Sequence, residues 1–545
     1  MRQWPTAFID PTRAQGLRTS GAWGNETIGD YARTVARVDP NRVIQIENNQ
    51  QYRAAELVAL ADCLAHYFLQ RGLTPGAVIS YMLPNWHESC VVSLAAALAG
   101  LVLNPLLPIY RERELSFMLN DSHSQLLFIP GQFRNFDYPS LLKRICPELP
   151  ELQDVVVVRG SAPGFLSFDE LPLATPPASL PPVSADAVKL CIYTSGTTGV
   201  PKGVLHSHNT IMADVRTLAR FWAVGSDDCF FVPSPVTHIG GSLYAHEFVW
   251  YSGVPAVLMD IWNGPAAVTA INLHGCTISS GATPFLQELV EACQRTNDKL
   301  PSLRLFICGG AAVPPALIRR ARALFSRCVA CRVYGSTEIP TVTAGALPSD
   351  DGETCAETDG AVCGAEVRIV DPVDGHTLPF GAEGELVVRA PEMFLGYANP
   401  DDNVAAFTPY GFFKTGDLGR WMDHSHLVIT GRKKDIIIRA GENISAKELE
   451  DLLGGHPAIK EIAVVGIPHP RTGEAVCACV VLNTSATIDR ADISHFMINH
   501  GSARQKIPEV LLILDDLPRT ATGKVRKEEL RTLAVTRFEW SDLAR

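Results

Sequence analysis

Short apolar runs that alternate with helical segments are the feature that most restricts the fold of this chain. Residues 53–72 carry apolar side chains at helical spacing and end at Gly72, which is typical of a helix. The runs 77–83, 101–107 and 125–130 follow, and helix-like stretches separate them. Strands that alternate with helices build βα units. The sequence therefore predicts an α/β fold with a largely parallel sheet.

The C-terminal third shows a different pattern, with shorter β-like runs and more turn residues. Residues 431–453 indicate a strand, a glycine turn and a helix that begins at Ser445, with Glu448 in the position of a capping box. Strand and helix patterns alternate again from there to the end. Because 545 residues exceed one ordinary domain, we predict a large N-terminal domain over 1–433 and a small α/β domain over 434–545.

Composition and charge disfavour several classes of protein. Hydrophobic residues make up 46% and charged residues 19% of the chain, which is globular composition. A formal net charge of −11 disfavours a nucleic-acid partner. The N-terminus has no apolar signal segment, and the apolar stretch 90–103 is too short to span a bilayer. The 14 cysteines are scattered and do not form a complete zinc-ligand pattern, so we expect reduced thiols, a cytoplasmic location and no integral membrane segment.

A loop rich in glycine and hydroxyl groups, YTSGTTGVPKG, occupies residues 193–203, directly after the apolar run 187–193. It is not a Walker A loop, because its glycine spacing differs and Gly203 follows Lys202. Glycine nevertheless lets backbone N–H groups face an anion, while hydroxyls and a lysine add donors and charge. From these residues alone, a phosphate site and an ordinary surface turn are equally plausible.

Six segments in a fixed order carry a resemblance to a known family. They are YTSGTTGVPKG (193–203), GGAAVP (309–314), VYGSTE (333–338), KTGDLG (414–419), GRKKDIIIRAGENIS (431–445) and LPRTATGKVRK (517–527). With them the chain resembles the adenylate-forming superfamily of acyl-CoA synthetases, adenylation domains and luciferases. Residues 21–37, 281–290 and 304–314 add a likeness to bacterial short- and medium-chain fatty acyl-CoA ligases and cyclohexanecarboxylate-CoA ligases.

The resemblance implies a fold, a reaction and a set of small-molecule partners. The fold is a large N-terminal domain of mixed sheets and helices plus a small, mobile α/β domain. The reaction is ATP-dependent activation of a carboxylic acid to an acyl-AMP, followed by transfer to coenzyme A, with Mg²⁺ as the metal. By the same resemblance, the small domain alternates between two positions, one for each half-reaction.

The resemblance also assigns residues to the nucleotide. Those that would contact ATP or AMP are Thr194, Ser195, Gly196, Thr197, Thr198, Gly199, Lys202, Gly309, Gly310, Ala311, Tyr334, Gly335, Ser336, Thr337, Asp417 and Arg432. Tyr334 would flank adenine, and Asp417 would accept hydrogen bonds from the ribose with Arg432 assisting. Taken singly, Tyr334 is better explained as a core tyrosine and Asp417 as a turn aspartate.

Three catalytic residues follow from the resemblance. Glu338 would hold Mg²⁺, which prefers carboxylate and phosphate oxygens. Lys524 would cross from the small domain to neutralise charge on the reacting phosphorus, although as bare sequence it is an exposed lysine in a glycine-containing loop. His238 would lie beside the reacting carboxylate, and a core histidine is an equally good explanation of that residue.

The remaining assignments concern the acid, the hinge and the thiol. Ile239, Gly240 and Gly241 follow His238 and would line the acyl pocket, Lys434 would be the hinge, and Gly441 would border the coenzyme A channel. Nothing in the sequence identifies the acid beyond a hydrophobic one, medium-chain or alicyclic. A carrier-protein acceptor, a non-catalytic acyl-nucleotide-binding role and a homodimer are left open.

Overall fold

The structure is a computed structural model that describes residues 4, 10–171, 180–194, 200–311, 313–440, 442–520 and 524–537. Its helices are α1 Pro11–Thr19, α2 Ile28–Val38, α3 Ala54–Gln70, α4 His87–Ala99, α5 Glu112–Asp121, α6 Tyr138–Ile145, α7 His208–Phe221, α8 Ile239–Ser242, α9 Phe248–Ser252, α10 Gly264–His274, α11 Thr283–Thr296, α12 Pro315–Leu324, α13 Gly352–Glu357, α14 Ala446–Leu453, α15 Arg490–Asn499 and α16 Lys527–Arg537. One turn of π-helix, Leu243–Glu247, joins α8 to α9.

The strands fall into larger sheets and one short hairpin. They are β1 Val43–Glu47, β2 Gln50–Arg53, β3 Val78–Tyr81, β4 Val102–Pro105, β5 Ser124–Pro130, β6 Gln132–Phe133, β7 Phe136–Asp137, β8 Asp154–Val158, β9 Leu166–Ser167, β10 Val188–Thr194, β11 Lys202–Ser207, β12 Phe230–Val232, β13 Ala256–Leu258, β14 Ile278–Gly281, β15 Leu305–Cys308, β16 Val329–Arg332, β17 Glu366–Val370, β18 Gly384–Arg389, β19 Gly396–Tyr397, β20 Phe413–Trp421, β21 Leu427–Arg432, β22 Ile436–Arg439, β23 Glu442–Ser445, β24 Ile459–His469, β25 Gly473–Leu482 and β26 Val510–Ile513.

Two mainly parallel sheets form the large domain. One has the order β16-β15-β14-β12-β13-β1-β2, and the other β19-β11-β10-β4-β3-β5-β8-β9. The strands predicted within 77–83, 101–107 and 125–130 are β3, β4 and β5, and they pair in parallel in the second sheet. The α/β prediction is therefore confirmed. The two sheets and their helices share one continuous apolar core.

A third, antiparallel sheet completes the large domain with the order β17-β18-β20-β21. It has its own apolar core, which Phe394, Phe413 and Leu427 help to fill. This sheet accounts for the shorter β-like runs that the sequence shows in its C-terminal third. Its last strand ends at Arg432, and the turn Lys433–Asp435 follows. The boundary predicted at 433/434 lies in that turn and stays a prediction.

The small domain is a five-stranded sheet with helices packed on it. Strands β24 and β25 form a long antiparallel pair, and β26 joins β25 in parallel. Ser445 caps α14 as predicted, by accepting a hydrogen bond from Glu448 N at 3.2 Å. The predicted capping box is incomplete, however, because the Glu448 carboxylate accepts hydrogen bonds from Lys506 Nζ at 2.6 and 2.7 Å.

The two domains touch beside this helix. The Ser445 hydroxyl donates to the Thr430 carbonyl of β21 at 2.5 Å. Within the ranges that the structure describes, no helix is both long enough and apolar enough to cross a lipid bilayer.

Candidate active site

One cleft brings residues of both domains together. Its volume is about 980 Å³, and its walls come from the ends of β10, β11, β14 and β15, the turn 333–341, segment 234–244 and the antiparallel sheet. Lys524 of the small domain also lines it. Brought together in this cleft are Thr194, Lys202, His238, Ile239, Gly240, Gly309, Gly310, Tyr334, Gly335, Ser336, Thr337, Glu338, Asp417, Arg432, Lys434 and Lys524.

Some predicted residues lie elsewhere. Ser195, Gly196, Thr197, Thr198, Gly199 and Gly441 are outside the described residues. Ala311 is exposed just beyond Gly310 and is not part of the described cleft wall. Gly241 is also absent from that wall, because it packs against the chain behind it: a Cβ there would lie 2.1 Å from the Pro235 carbonyl oxygen. The glycine therefore permits a close backbone contact rather than widening a pocket.

The glycine- and hydroxyl-rich loop connects two antiparallel strands. Thr194 ends β10 and pairs with Lys202, the first residue of β11. The Lys202 ammonium lies 2.7 Å from Asp402 Oδ1 and 5.1 Å from the centre of the Tyr397 ring. An ion pair and a cation–π contact thus hold the Lys202 side chain at the start of β11.

The turn after Val333 supplies the next wall. A Cβ at Gly335 would lie 2.1 Å from the Pro340 carbonyl oxygen, so only glycine permits this tight turn. The Thr337 carbonyl accepts a hydrogen bond from His206 Nε2 at 2.7 Å. Glu338 Oε1 accepts one from the Tyr397 hydroxyl at 2.8 Å. The turn thereby presents the Glu338 carboxylate to the cleft.

A hydrogen-bonded trio joins this turn to the antiparallel sheet. The Tyr334 hydroxyl donates to Asp417 Oδ2 at 2.6 Å, and Arg432 Nε lies 3.1 Å from Asp417 Oδ1. Asp417 and Arg432 are direct partners across β20 and β21. The Asp417 charge raises the pKa of Arg432, whereas burial and then Asp417 raise the pKa of Tyr334. Tyr334 and Arg432 each contact one oxygen of the buried Asp417 carboxylate and so hold it in one orientation.

Lys524 enters the same cleft from the small domain. Its carbonyl accepts a hydrogen bond from Thr520 N at 2.6 Å, and Arg519 bridges to Val525. Burial is the main cause that lowers the pKa of Lys524, and Arg432 adds to it, while Asp417 and Glu338 oppose the shift. The half-buried Lys524 side chain therefore lies near three charged groups of the large domain.

His238 is held as a neutral donor. It precedes α8, and its Nδ1 accepts a hydrogen bond from Gly240 N at 3.3 Å. Burial, and then the charge of Lys524, lower its pKa to about 4. With Nδ1 as the acceptor, the proton of the neutral ring is on Nε2. His238 and Lys524 line the same cleft.

The cleft has two chemically different parts. We call Lys202, Glu338, Tyr397, Asp417, Arg432 and Lys524 the polar half. Apolar side chains line the other part, and we call Trp222, Ile239, Leu243, Tyr244, Phe285 and Ile307 the apolar half. The Trp222 indole is fixed by a hydrogen bond from Nε1 to the Ala344 carbonyl at 2.8 Å.

Several of these residues were not predicted from the sequence. Tyr397 and Asp402 lie in a segment without a recognisable motif, and their contacts with Glu338 and Lys202 form only after folding. Trp222 and Tyr244 lie in helical patterns of apolar residues that are typical of an ordinary core. No local signal in the sequence distinguishes them from other buried aromatics.

Glu338 is the metal candidate within the cleft, since a carboxylate beside phosphate-binding groups suits Mg²⁺. Two clusters with the geometry of a metal site also occur in the described ranges, and Asp371 and Asp374 of the second line the same cleft. In the first, Glu47 and Glu88 already pair with Arg159, at 2.7 Å each. The second, Asp371, Asp374 and His376, is solvent-exposed or nearly so.

Comparisons with known proteins agree with this geometry. The family described as AMP-binding enzyme matches residues 32–398, and the AMP-binding enzyme C-terminal domain matches residues 448–524. The medium-chain fatty-acid–CoA ligase of Escherichia coli K12 is 34% identical over 533 residues, covering 96% of this chain and 94% of that protein. The salicyl-AMP ligase / salicyl-S-ArCP synthetase of Mycobacterium tuberculosis H37Rv is 31% identical over 536 residues, covering 95% and 92%.

A solved structure has the same architecture over nearly the whole chain. The ATP-bound MatB of Rhodopseudomonas palustris superposes with a TM-score of 0.85 at 27% identity, covering 94% of this chain and 100% of that one.

Proposed function

Because the chain belongs to the family of AMP-binding enzymes, as its six motifs indicated, we propose that it joins a hydrophobic monocarboxylic acid to coenzyme A at the expense of ATP. In the first half-reaction a carboxylate oxygen attacks the α-phosphorus, the bond to the bridging oxygen breaks, and pyrophosphate leaves with the electron pair. In the second, the thiol sulfur attacks the acyl carbon, AMP leaves, and the thiol proton passes to solvent. The enzyme is an AMP-forming acid–thiol ligase.

One observation carries the proposal: Lys524 of the small domain lies in the same cleft as His238, Glu338 and Asp417 of the large domain. Joining a carboxylate to a triphosphate brings two anions together, so a mobile cation at the junction stabilises the transition state most. A desolvated ammonium interacts with such charge more strongly than one in water. This role for Lys524 is supported by its burial and its neighbours.

The rest of the polar half suits a nucleotide. Asp417, fixed by Tyr334 and Arg432, is an acceptor for two ribose hydroxyls. Gly310 borders open space that suits a flat base, while Gly309 lets the backbone pack closely on Val333. Lys202 is placed for the outer phosphates, where it would exchange Asp402 for a stronger anion. Glu338 would hold Mg²⁺, which when bound neutralises phosphate charge.

His238 has a separate role in this scheme. Because its pKa is lowered to about 4, the ring is neutral at working pH and does not compete with Lys524 for the carboxylate charge. Its Nε2–H is available as a hydrogen-bond donor towards the reacting acid. We assign it the orientation of the carboxylate, between the polar and apolar halves.

The apolar half defines the class of acid. Among the described residues, the lysine and arginine side chains that line the cleft are Lys202, Lys414, Arg432, Lys433, Lys434 and Lys524. They come from β11, β20, the end of β21, the turn after it and the small domain, not from the segments that carry the apolar half. A second carboxylate in the acid would therefore have no counter-charge there. An uncharged hydrocarbon tail, medium-chain or alicyclic, suits the site.

The second half-reaction requires the small domain to present a different face. Lys434, in the short turn Lys433–Asp435, links the last strand of the large domain to the first strand of the small one, so we assign the hinge to it. Gly441 follows β22 and is assigned to the border of the thiol channel.

Coenzyme A is the proposed acceptor, and a carrier protein is the alternative. The Escherichia coli relative is named as a CoA ligase and the Mycobacterium tuberculosis relative as an ArCP synthetase, at 34% and 31% identity. The higher identity supports free coenzyme A. We also propose a reducing, cytoplasmic setting, because all 14 cysteines are free thiols. A homodimer stays a prediction.

The test is pyrophosphate release over a panel of carboxylic acids, each assayed with and without coenzyme A. The proposal expects release that depends on a hydrophobic monocarboxylate, with thioester formed only when coenzyme A is present. Acyl-AMP that accumulates with coenzyme A but transfers to a carrier protein would support the alternative acceptor. Failure to consume ATP with any acid would contradict the proposed function.

A further inference from the structure

A buried ion pair lies behind the cleft, at a place that no motif marks. Lys189 is the second residue of β10, and its ammonium pairs with Glu247 Oε1. The two side chains are only 2% and 1% exposed. Within the described part of the chain, the second oxygen, Glu247 Oε2, has no hydrogen-bond partner. The Glu247 charge therefore depends on Lys189.

Glu247 ends an unusual helical segment. Residues Leu243–Glu247 form one turn of π-helix between α8 and α9. Such turns change the hydrogen-bonding pattern of a helix from i→i+4 to i→i+5 over a single turn and occur frequently at functional sites. An irregular turn of this kind needs outside contacts to keep its register.

The front of segment 239–247 faces the cleft. Ile239, Gly240, Leu243 and Tyr244 line it, and three of them belong to the apolar half. Tyr244 also contacts Trp222, with ring centres 6.2 Å apart. The position of this segment therefore sets the shape of the space that receives the acid.

The back of the same segment is held by polar groups from three other elements. Gln45 Nε2 of β1 donates to the Ala245 carbonyl at 2.9 Å. Ser89 Oγ of α4 lies 3.0 Å from His246 Nε2. Lys189 of β10 pairs with Glu247. Gln45, Ser89 and Lys189 contact three consecutive residues of the turn, from two different sheets and the helix between them.

Each of these contacts is in the dry interior. Gln45 and Ser89 are 0% exposed, and His246 is 2% exposed. Because Ser89 Oγ donates to the Trp86 carbonyl at 2.6 Å, it accepts the proton of His246 Nε2. Burial, and then the Lys189 charge, lower the pKa of His246 to about 3. The ring is thus neutral, so Lys189 and Glu247 are the charged members of the group.

A buried ion pair is weak evidence for stability, since apolar residues of similar size often replace it without loss. Its best-attested use is to fix one register among alternatives. We propose that Lys189 and Glu247, with Gln45, are positioning residues that hold the π-turn in register and so determine which acids the apolar half accepts. This inference rests on the proposed function.

The central test is the double variant Lys189→Met/Glu247→Leu, which removes both charges and keeps the volume. We expect it to fold, to raise KM for the preferred acid about 10-fold, and to leave KM for ATP within about twofold; a loss of this size is typical of one misplaced apolar contact. We also expect the preference between acids that differ by two carbons to fall about 10-fold. Wild-type acid kinetics in the folded double variant would overturn the proposal.

A second variant covers the case in which the double variant does not fold. Gln45→Met removes only the amide that holds the Ala245 carbonyl, and it should raise KM for the acid with KM for ATP unchanged. Its matched control is Asn104→Leu, a buried amide of β4 that bonds Ser80 Oγ at 2.9 Å and Ser122 Oγ at 3.2 Å instead. Equal changes in acid selectivity for both variants would contradict the inference.

The proposed function is tested separately by the wild-type protein. If the wild-type protein releases no pyrophosphate with any of the acids tested, the proposed function fails. If wild type is active and the Gln45 and Lys189/Glu247 variants keep its acid selectivity, only the positioning inference fails.

Discussion

The two halves of the cleft are built in opposite ways. The polar half consists of charged and hydroxyl side chains, and apart from Lys524 each has a named partner: Lys202 pairs with Asp402, Glu338 with Tyr397, and Asp417 with Arg432. The apolar half consists of side chains from the residue after α7, segment 239–244, α11 and β15, and contacts behind the wall hold them in place. One half is specified by short motifs, and the other by the packing of distant elements. The residues of the polar half thus fix the reaction, whereas the packing behind the apolar half determines which acid is accepted.

The largest effect that would sharpen this comparison concerns Glu338. Glu338→Gln removes the anionic oxygens proposed for Mg²⁺, and adenylation should fall about 100- to 1000-fold, the scale of losing one electrostatic transition-state contact. Acid-dependent pyrophosphate release measures it. Glu383→Gln, an exposed glutamate near β18, is the control and should retain full activity. A Glu338→Gln enzyme with wild-type rate would break the assignment of the polar half.

Asp417→Asn should have the next largest effect. The change removes the charge that Arg432 and Tyr334 hold in place, at a cost of about 1.5–3 kcal/mol for a hydrogen bond to a charged group. KM for ATP should therefore rise roughly 10- to 100-fold, with KM for the acid nearly unchanged. An equal rise for ATP and acid would contradict a division of the cleft into two halves.

For a residue of the apolar half we expect the reverse, a change in acid selectivity with no change in KM for ATP. Trp222→Leu removes the indole that Ala344 fixes, and the preferred acid should become longer, with about a 10-fold change in selectivity. KM for ATP should not change. Phe221→Leu, the neighbouring aromatic outside the described cleft wall, is the matched control. A chain-length profile identical to wild type would show that Trp222 does not limit the acid.

The smallest effect concerns His238, between the halves. His238→Gln keeps a hydrogen-bond donor, so adenylation should fall only about 2- to 10-fold, as for one neutral hydrogen bond. Because the His238 pKa is lowered to about 4, its neutral form predominates at every pH above that value. The wild-type rate should therefore show no His238 step between pH 5 and 8. A step near pH 6.5 that the variant abolishes would contradict this.

The polar half was largely predictable because its residues stand in contiguous motifs around Tyr334, Asp417 and Lys524. The same holds for the βα alternation and for the separate small domain. What the sequence did not indicate depends on contacts between distant segments. Tyr397 reaches Glu338 only after folding, and Gly241 packs on Pro235 rather than widening the pocket. Lys189 sits inside an apolar run, and its partner Glu247 is 58 residues away.

The most direct test of a shared cleft is to measure the two half-reactions of Lys524→Ala separately. Acid-dependent pyrophosphate release should fall about 100-fold or more, since a cation at the reacting phosphorus is lost. Thioester formation from supplied acyl-AMP and coenzyme A should stay within a few-fold of wild type, and Lys460→Ala, an exposed lysine of the small domain, should change neither. Equal loss of both half-reactions would contradict the placement of Lys524 as the cation of the first step.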